Sequence, residues 1–136
     1  LCDIRIASEI SFFCLPEAQP ELGIIPGLGG TIRLTKVIGV SRAKEMLFSG
    51  KMIRGKTALE WGLVKTLVPA KEVLNESIEF ARKLAKNNDI SIENMKKCIN
   101  YAVDHDTRKG IEYEVEIFAE MIRVKLAEKN SSVRTA

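Results

Sequence analysis

The sequence has few of the residues from which metal centres and disulfide frameworks are built. It contains one histidine, His105, and its three cysteines are widely spaced, with no Cys-x-x-Cys pair. A zinc site draws on several such ligands, and a disulfide framework draws on an even number of cysteines. We therefore expect no metal site, and we expect the cysteines to be the reduced, buried thiols of a cytoplasmic protein.

The sequence patterns of membrane spans and nucleic-acid-binding patches are also missing. No apolar run approaches the length of about 20 residues that a transmembrane helix needs. The net charge is only +3, and basic residues have acidic ones nearby, as in Arg42-Ala43-Lys44-Glu45. A nucleic-acid surface would need clustered positive charge. With 46% hydrophobic and 29% charged residues, the composition is that of a globular domain, and we expect neither nucleic acid nor membrane as a partner.

Hydrophobic periodicity predicts an α/β chain whose strands come first. The predicted elements are strands over residues 1–7, 10–15 and 63–68, and helices from Thr31 to near Gly39, over 71–86, over 91–103 and from about 107. Two further helical patterns have Ser41 and Thr57 as candidate N-caps, and Gly50 stands where the first of them should end.

The first third of the chain is strand and loop, and the rest is nearly all helix. Two or three short strands leave sheet edges without partners. Residues 1–7 also read as a core strand from their first residue. Both observations lead us to expect that the chain is the C-terminal part of a longer protein.

Residues 50–57, GKMIRGKT, formally match the phosphate-loop pattern GxxxxGK[ST]. A genuine phosphate loop follows a buried strand and opens a long helix. Here the pattern follows a helix, and the next helical stretch is short, since Gly62 soon ends it. We therefore expect no nucleotide site at this position.

Residues 12–34, FFCLPEAQPELGIIPGLGGTIRL, carry the strongest chemical signal. An acid, Glu17, follows an apolar run, and Pro26 with three glycines then leads into a helical pattern. A carboxyl group beside apolar side chains suits general acid–base work. Glu17 and Glu21 both satisfy this description, and both also fit a surface position in a proline-rich loop.

This segment and its surroundings resemble the enoyl-CoA hydratase/isomerase (crotonase) family over roughly residues 1–118. The segments that carry the resemblance are CDIRIASE (2–9), Phe13 with Pro16-Glu17 at the family's F-G-x-P-E, LGIIPG (22–27), GGT (29–31), Arg33-Leu34 and, downstream, FSG (48–50) and GLV (62–64). The sequence departs from the family at Cys14, where glycine is usual, and after Phe118, where the family's usual ending is not found.

The resemblance implies that Glu17 is the catalytic acid/base. Glu21 is the alternative, because Gln19-Pro20-Glu21 also looks like the motif and two extra residues lie between Glu17 and Gly23. By the same resemblance, the residues implied in substrate binding are Leu15, Pro16, Leu22, Pro26, Gly27, Leu28 and Gly29.

The family also implies an architecture and a chemistry. Residues 1–68 would form the C-terminal part of a spiral of β-β-α turns, and residues 69–136 a helical region that assembles trimers or hexamers. The substrate would be an acyl-CoA thioester, whose enolate two backbone N–H groups stabilise. Coenzyme A is part of that substrate, so no separate cofactor is expected.

The family's second glutamate and its oxyanion-hole segments have no counterpart in the 136 residues. We therefore expect the intact parent to be a hydratase or isomerase of fatty acid metabolism and this chain alone to be inactive. Isomerase, dehalogenase and decarboxylase chemistry stay open, because one fold hosts several reactions. A catalytically inert helical self-association module is the alternative from a different class.

Overall fold

A computed structural model describes the backbone of residues 2–134 and the side chains of residues 2–127. Leu1, which opens the first predicted strand, lies outside the described residues, as do residues 135 and 136. The chain separates into two compact units, the first ending at Lys83 and the second beginning at Leu84. The first unit thus extends past residue 68, where we placed the domain boundary, and the trimerisation role of residues 69–136 stays a prediction.

The order of elements is that of an α/β chain with very short strands. The elements are β1 (Ile6–Ser8), β2 (Phe12–Phe13), α1 (Gly30–Ile38), α2 (Val40–Ser49), β3 (Ile53–Arg54), α3 (Gly55–Glu60), β4 (Thr66–Val68), a single 3-10 turn (Ala70–Glu72), α4 (Val73–Leu84), α5 (Asp89–Asp104) and α6 (Thr107–Arg134). Across the part of the chain described, no helix combines the length and apolar character that crossing a membrane requires.

The strands form two separate pairs rather than one sheet. β1 runs parallel to β4, with Ile6 opposite Thr66, and β2 runs antiparallel to β3, with Phe13 opposite Ile53. β1 ends at a turn in which the Ser11 N–H donates to the Ser8 carbonyl at 3.0 Å. The predicted strands over 1–7, 10–15 and 63–68 are therefore too long, because turns and prolines interrupt the pairing.

A small core lies in the first unit, between the helices and the strand pairs. Its buried members are Ala7, Leu34, Ile38, Ala43, Met46, Ile53, Ala58 and Val64. Met46 of α2 is the largest fully buried side chain among the described residues, at 2% exposure. Small residues such as Ala43 and Ala58 let helices and strands approach closely around it.

Two helix starts differ from the sequence-based prediction. α2 begins at Val40 after Gly39, which makes no side-chain capping bond, so Ser41 lies inside the first turn. α3 begins at Gly55 directly after β3, so Thr57 is an interior residue and not a cap. At neither start does the residue before the helix make a side-chain capping hydrogen bond. Gly50, in contrast, ends α2 in the left-handed conformation as predicted.

The second unit is built on a helical hairpin of α5 and α6. The side chain of Asn88 caps α5 by accepting from the Ser91 N–H at 2.8 Å, so the helix starts earlier than predicted. At its other end Tyr101 stacks on His105, with ring centroids 3.8 Å apart, and on Tyr113 of α6, with centroids 4.3 Å apart. A groove of about 550 Å³ runs between the two helices and is lined mainly by apolar side chains.

The cysteines are free, but the prediction that they are buried is wrong. Cys2 and Cys14 are exposed, and Cys98 is half-buried. Cys14 follows the two-residue strand β2, which is too short to be enclosed on both faces. Composition alone does not show such local exposure.

Candidate active site

Glu17 lies directly after Pro16 in the loop that follows β2. The residue is half-buried, and its Oε2 is buried with no hydrogen-bond partner. A buried polar atom without a partner costs free energy, so native proteins keep few of them and those few call for an explanation. A carboxylate held in this way is available to act on a ligand, which suits the acid/base role predicted for Glu17.

Glu21 differs from Glu17 in its surroundings. It lies four residues further along the same loop, in a turn, and is exposed to solvent. A fully solvated carboxylate is the ordinary state of a surface acid. Burial therefore favours Glu17 over Glu21, and the assignment stays a prediction.

The backbone of this loop is closed on itself. The Ile24 N–H donates to the Glu17 carbonyl at 2.9 Å, and Gln19 accepts at its own carbonyl from Leu22 and Gly23 at 3.0 and 2.9 Å. These bonds satisfy backbone groups that neither strand nor helix pairs, and they fix the course of the chain. Glu17 is thus presented by an ordered turn.

The Pro26–Gly30 turn joins this loop to α1. Gly29 precedes the helix in the left-handed conformation, at φ 78°, and the Gly30 N–H donates to the Gly27 carbonyl at 3.0 Å. A Cβ on Gly30 would lie 2.7 Å from the Cβ of Pro26, so only glycine fits against the buried proline. The glycines of this segment therefore make a tight corner at the start of α1.

The predicted substrate-binding residues do not form one surface by themselves. Leu15 and Pro16 are half-buried beside Glu17 in sequence, whereas Leu22 is exposed. Leu28 is 98% exposed and has a left-handed backbone, at φ 53°, which is uncommon for a residue with a side chain. Pro26 is buried, and Gly27 is exposed in the turn. Their role in binding stays a prediction.

An apolar hollow of about 410 Å³ adjoins the acid in sequence, and sequence reasoning did not find it. It is lined by Phe12, Phe13, Cys14, Leu15, Leu34, Met46 and Leu63. Leu15 alone among them was a predicted binding residue. The run of apolar residues before Pro16 was the available signal, but α1 and α2 supply the other wall, and their proximity depends on the fold.

Residues 50–57, which match the phosphate-loop pattern, make structural contacts through Gly55. The Gly55 N–H donates to the Ser11 carbonyl at 2.8 Å, and a Cβ on Gly55 would lie 2.7 Å from the Ser8 carbonyl oxygen. A phosphate loop needs free N–H groups around an open cradle. Gly55 instead locks the β3–α3 junction against the turn that follows β1.

The sequence is similar to known enoyl-CoA hydratases over most of its length. The family model described as enoyl-CoA hydratase/isomerase matches residues 1–133. The chain is 38% identical to the short-chain-enoyl-CoA hydratase of Clostridium acetobutylicum over 119 residues, which cover 88% of this chain and 45% of that protein. It is 38% identical to the short-chain-enoyl-CoA hydratase of Clostridioides difficile over 117 residues, 86% of this chain and 74% of that protein.

The fold agrees with solved structures as well. An enoyl-CoA hydratase from Bacillus anthracis superimposes with a TM-score of 0.85 at 38% identity, over 90% of this chain and 46% of that one. The chain spans about half the length of several relatives that it matches. These similarities confirm the predicted fold class, an α/β chain of short crotonase-like strands followed by a helical C-terminal region.

Proposed function

Because this chain belongs to the enoyl-CoA hydratase/isomerase family, we propose that its Glu17 loop supplies the acid/base group for a reaction on an enoyl-CoA thioester. The observation that carries the proposal is the unpartnered, buried Oε2 of Glu17 in a closed turn. A carboxyl group in this state can transfer a proton at a carbon next to a polarised carbonyl. Glu21, exposed in the same loop, is the weaker candidate.

The proposed reaction is addition of water across the α,β double bond of the thioester. Stabilisation of the thioester enolate makes the α-carbon basic enough to accept a proton, and Glu17 delivers or removes that proton. Coenzyme A belongs to the substrate, so this scheme needs no separate cofactor. Isomerisation uses the same proton transfer, and it is the second reaction we retain.

The surroundings of Glu17 support an acyl substrate. Leu15, next to the Pro16-Glu17 pair, lines the apolar hollow, and Leu22 and the Pro26–Gly29 turn complete the same segment. Apolar walls with a few polar groups are typical of small-molecule sites. We propose these residues as contacts of the acyl-CoA.

Assembly and location belong to the proposal too. α5 and α6 expose apolar side chains along their groove, among them Ile99, Ile111 and Phe118. Exposed apolar patches of this kind mark interaction surfaces. We propose a homotrimer or hexamer acting in the cytoplasm in fatty acid metabolism, which sedimentation of the protein and cell fractionation would test.

The catalytic assignment is tested in the full-length protein that the gene encodes. Glu17→Gln keeps the size of the side chain and removes its acid/base capacity, so crotonyl-CoA hydration should fall by about 10²–10⁴-fold. Glu21→Gln in the same protein should change the rate much less. The reverse pattern would assign the reaction to Glu21.

A second measurement distinguishes the enzyme from the inert self-association module. The 136-residue chain alone should not turn over crotonyl-CoA, because the family's second glutamate and oxyanion-hole segments are not among its residues. If the full-length protein also lacks activity and affinity for acyl-CoA while still forming oligomers, the inert module replaces the enzyme as the conclusion.

A further inference from the structure

Gln19 makes more polar contacts than any other residue of the Glu17 loop. Its N–H donates to the Pro16 carbonyl at 2.9 Å, and its carbonyl accepts from the N–H groups of Leu22 and Gly23 at 3.0 and 2.9 Å. Its side-chain amide donates to the Gly50 carbonyl at 3.2 Å. The first three bonds shape the turn, and the fourth ties it to a residue 31 positions away in sequence.

The contact with Gly50 is close as well as polar. Gly50 is buried and left-handed, at φ 57°, and a Cβ there would lie 2.8 Å from Gln19 Cγ and 3.2 Å from its Nε2. The stem of Gln19 therefore lies directly on the Gly50 backbone. Position 50 favours glycine for two reasons: the helix end needs a left-handed backbone, and a side chain would collide with Gln19.

Gly50 is a firm support because α2 is anchored in the core. The helix buries Ala43 and Met46, and Gly50 is its C-cap. The last carbonyls of a helix lack partners within the helix and carry partial negative charge, so an amide N–H is a suitable donor to them. Through this contact, a loop that contains no regular structure is joined to a helix whose Ala43 and Met46 lie in the core of the first unit.

Gln19 lies in the stretch of residues 14–29, between β2 and α1, which contains neither strand nor helix. A longer loop has more conformations available and holds a side chain less firmly. The bond to Gly50 removes that freedom two residues from Glu17.

We propose that Gln19 is a positioning residue that holds the Glu17 carboxylate in its working place by fastening the loop to the C-terminal end of α2. The inference rests on the proposed function of Glu17. Displacement of a reacting group by about 1 Å can lower a rate by about 10²-fold. Because Gln19 is an exposed residue, water can replace part of the bond, and the expected loss is smaller.

The test uses the full-length protein that the gene encodes and three variants at the contact. Gln19→Glu keeps the length of the side chain but cannot donate to a carbonyl, Gln19→Ala removes both the bond and the packing, and Gly50→Ala places a Cβ against Gln19. We expect kcat for crotonyl-CoA to fall about tenfold in Gln19→Ala and Gln19→Glu with KM nearly unchanged. Lys44→Ala, an exposed position on α2, should match the wild type.

The double variant distinguishes a specific contact from general damage. With Gln19→Ala the nearest atoms to the added Cβ of Gly50→Ala are gone, so the double variant should lose less activity than the two single losses multiplied. A measurement independent of activity is amide exchange at Ile24, whose N–H bonds to the Glu17 carbonyl. That exchange should accelerate in Gln19→Ala, while the exchange of Met46 stays slow.

The outcomes separate this inference from the proposed function. If Glu17→Gln abolishes activity while both Gln19 variants keep wild-type kcat, or if exchange at Ile24 is unchanged, Gln19 is not a positioning residue and the assignment of Glu17 stands. If Glu17→Gln has no effect, the proposed function is wrong, and the role of Gln19 goes with it.

Discussion

Replacing Gly55 with alanine tests whether the β3–α3 junction is as tight as its geometry indicates. The added Cβ would lie 2.7 Å from the Ser8 carbonyl oxygen, 3.3 Å from the Glu9 carbonyl oxygen and 3.2 Å from Leu67 Cδ2. Two of these neighbours are backbone atoms, so a change of rotamer cannot relieve the clash. The strand pair β1–β4 or the start of α3 would have to shift.

The magnitude follows from two opposing effects. Overpacking of this kind costs about 1–3 kcal/mol. Alanine gains up to about 1 kcal/mol over glycine in a helix, and Gly55 has no left-handed backbone that would cancel this gain. We therefore expect Gly55→Ala to lower the free energy of unfolding by about 1–2 kcal/mol.

Two other glycines of the first unit serve as matched controls. Gly27 has no atom within 4 Å of its would-be Cβ and no positive φ, so Gly27→Ala should be neutral or stabilise by up to about 1 kcal/mol. Gly23 also has free space but φ is +61°, so Gly23→Ala should cost about 1–2 kcal/mol from the backbone alone. The three variants separate steric clash from backbone strain.

The assay is urea unfolding followed by the fluorescence of Trp61. This is the one tryptophan of the sequence, and it packs against the core of the first unit, so the signal reports that unit. Gly55→Ala should lower the midpoint without changing the slope. A Gly55→Ala protein as stable as Gly27→Ala would refute the steric argument.

Three further predictions concern packing, capping and charge. Met46→Ala, at a side chain 2% exposed, should lower the free energy of unfolding in the same assay by about 2–5 kcal/mol. Asn88→Ala removes the cap that accepts from the Ser91 N–H and should cost about 1 kcal/mol, seen as lower helicity on heating by circular dichroism. The hydrogen bond to Glu93, aided by its charge, raises the pKa of Lys97 above 10.5. Because the folded pKa is raised, this pair stabilises below pH 10.5 and its effect is lost as pH rises through the raised value. In an NMR titration Glu93→Gln should bring the pKa of Lys97 down, and an unchanged titration would contradict the pairing.

The sequence predicted those features that depend on neighbouring residues. Gly50 as a left-handed helix end is one of them, since glycine is favoured there for its backbone alone. Membership of the family is another, because the spacing of glycines and prolines in residues 12–34 is specific. The fold class followed from the resemblance that this spacing carries.

The features that were missed depend on residues far apart in the chain. Thr57 had the pattern of a cap, yet α3 starts at Gly55, because the Gly55 N–H pairs with Ser11. The exposure of Cys14 depends on how short β2 is, and the contact of Gln19 with Gly50 joins two segments that no local pattern relates. Periodicity does not contain such information, because it describes one segment at a time.

The parallel pairing of β1 with β4 has a consequence for the order of folding. Ile6 lies opposite Thr66, so two segments about sixty residues apart in sequence must meet before this pair can form. In contrast, α5 and α6 are consecutive helices with a short connection. Contacts between distant residues form slowly because the entropy of closing the loop is lost first. During synthesis β1 leaves the ribosome before β4 and cannot pair with it until Val68 has followed. The turn after β1 is bonded to Gly55 through the Ser11 carbonyl, so this turn is also completed only after Gly55 has been made.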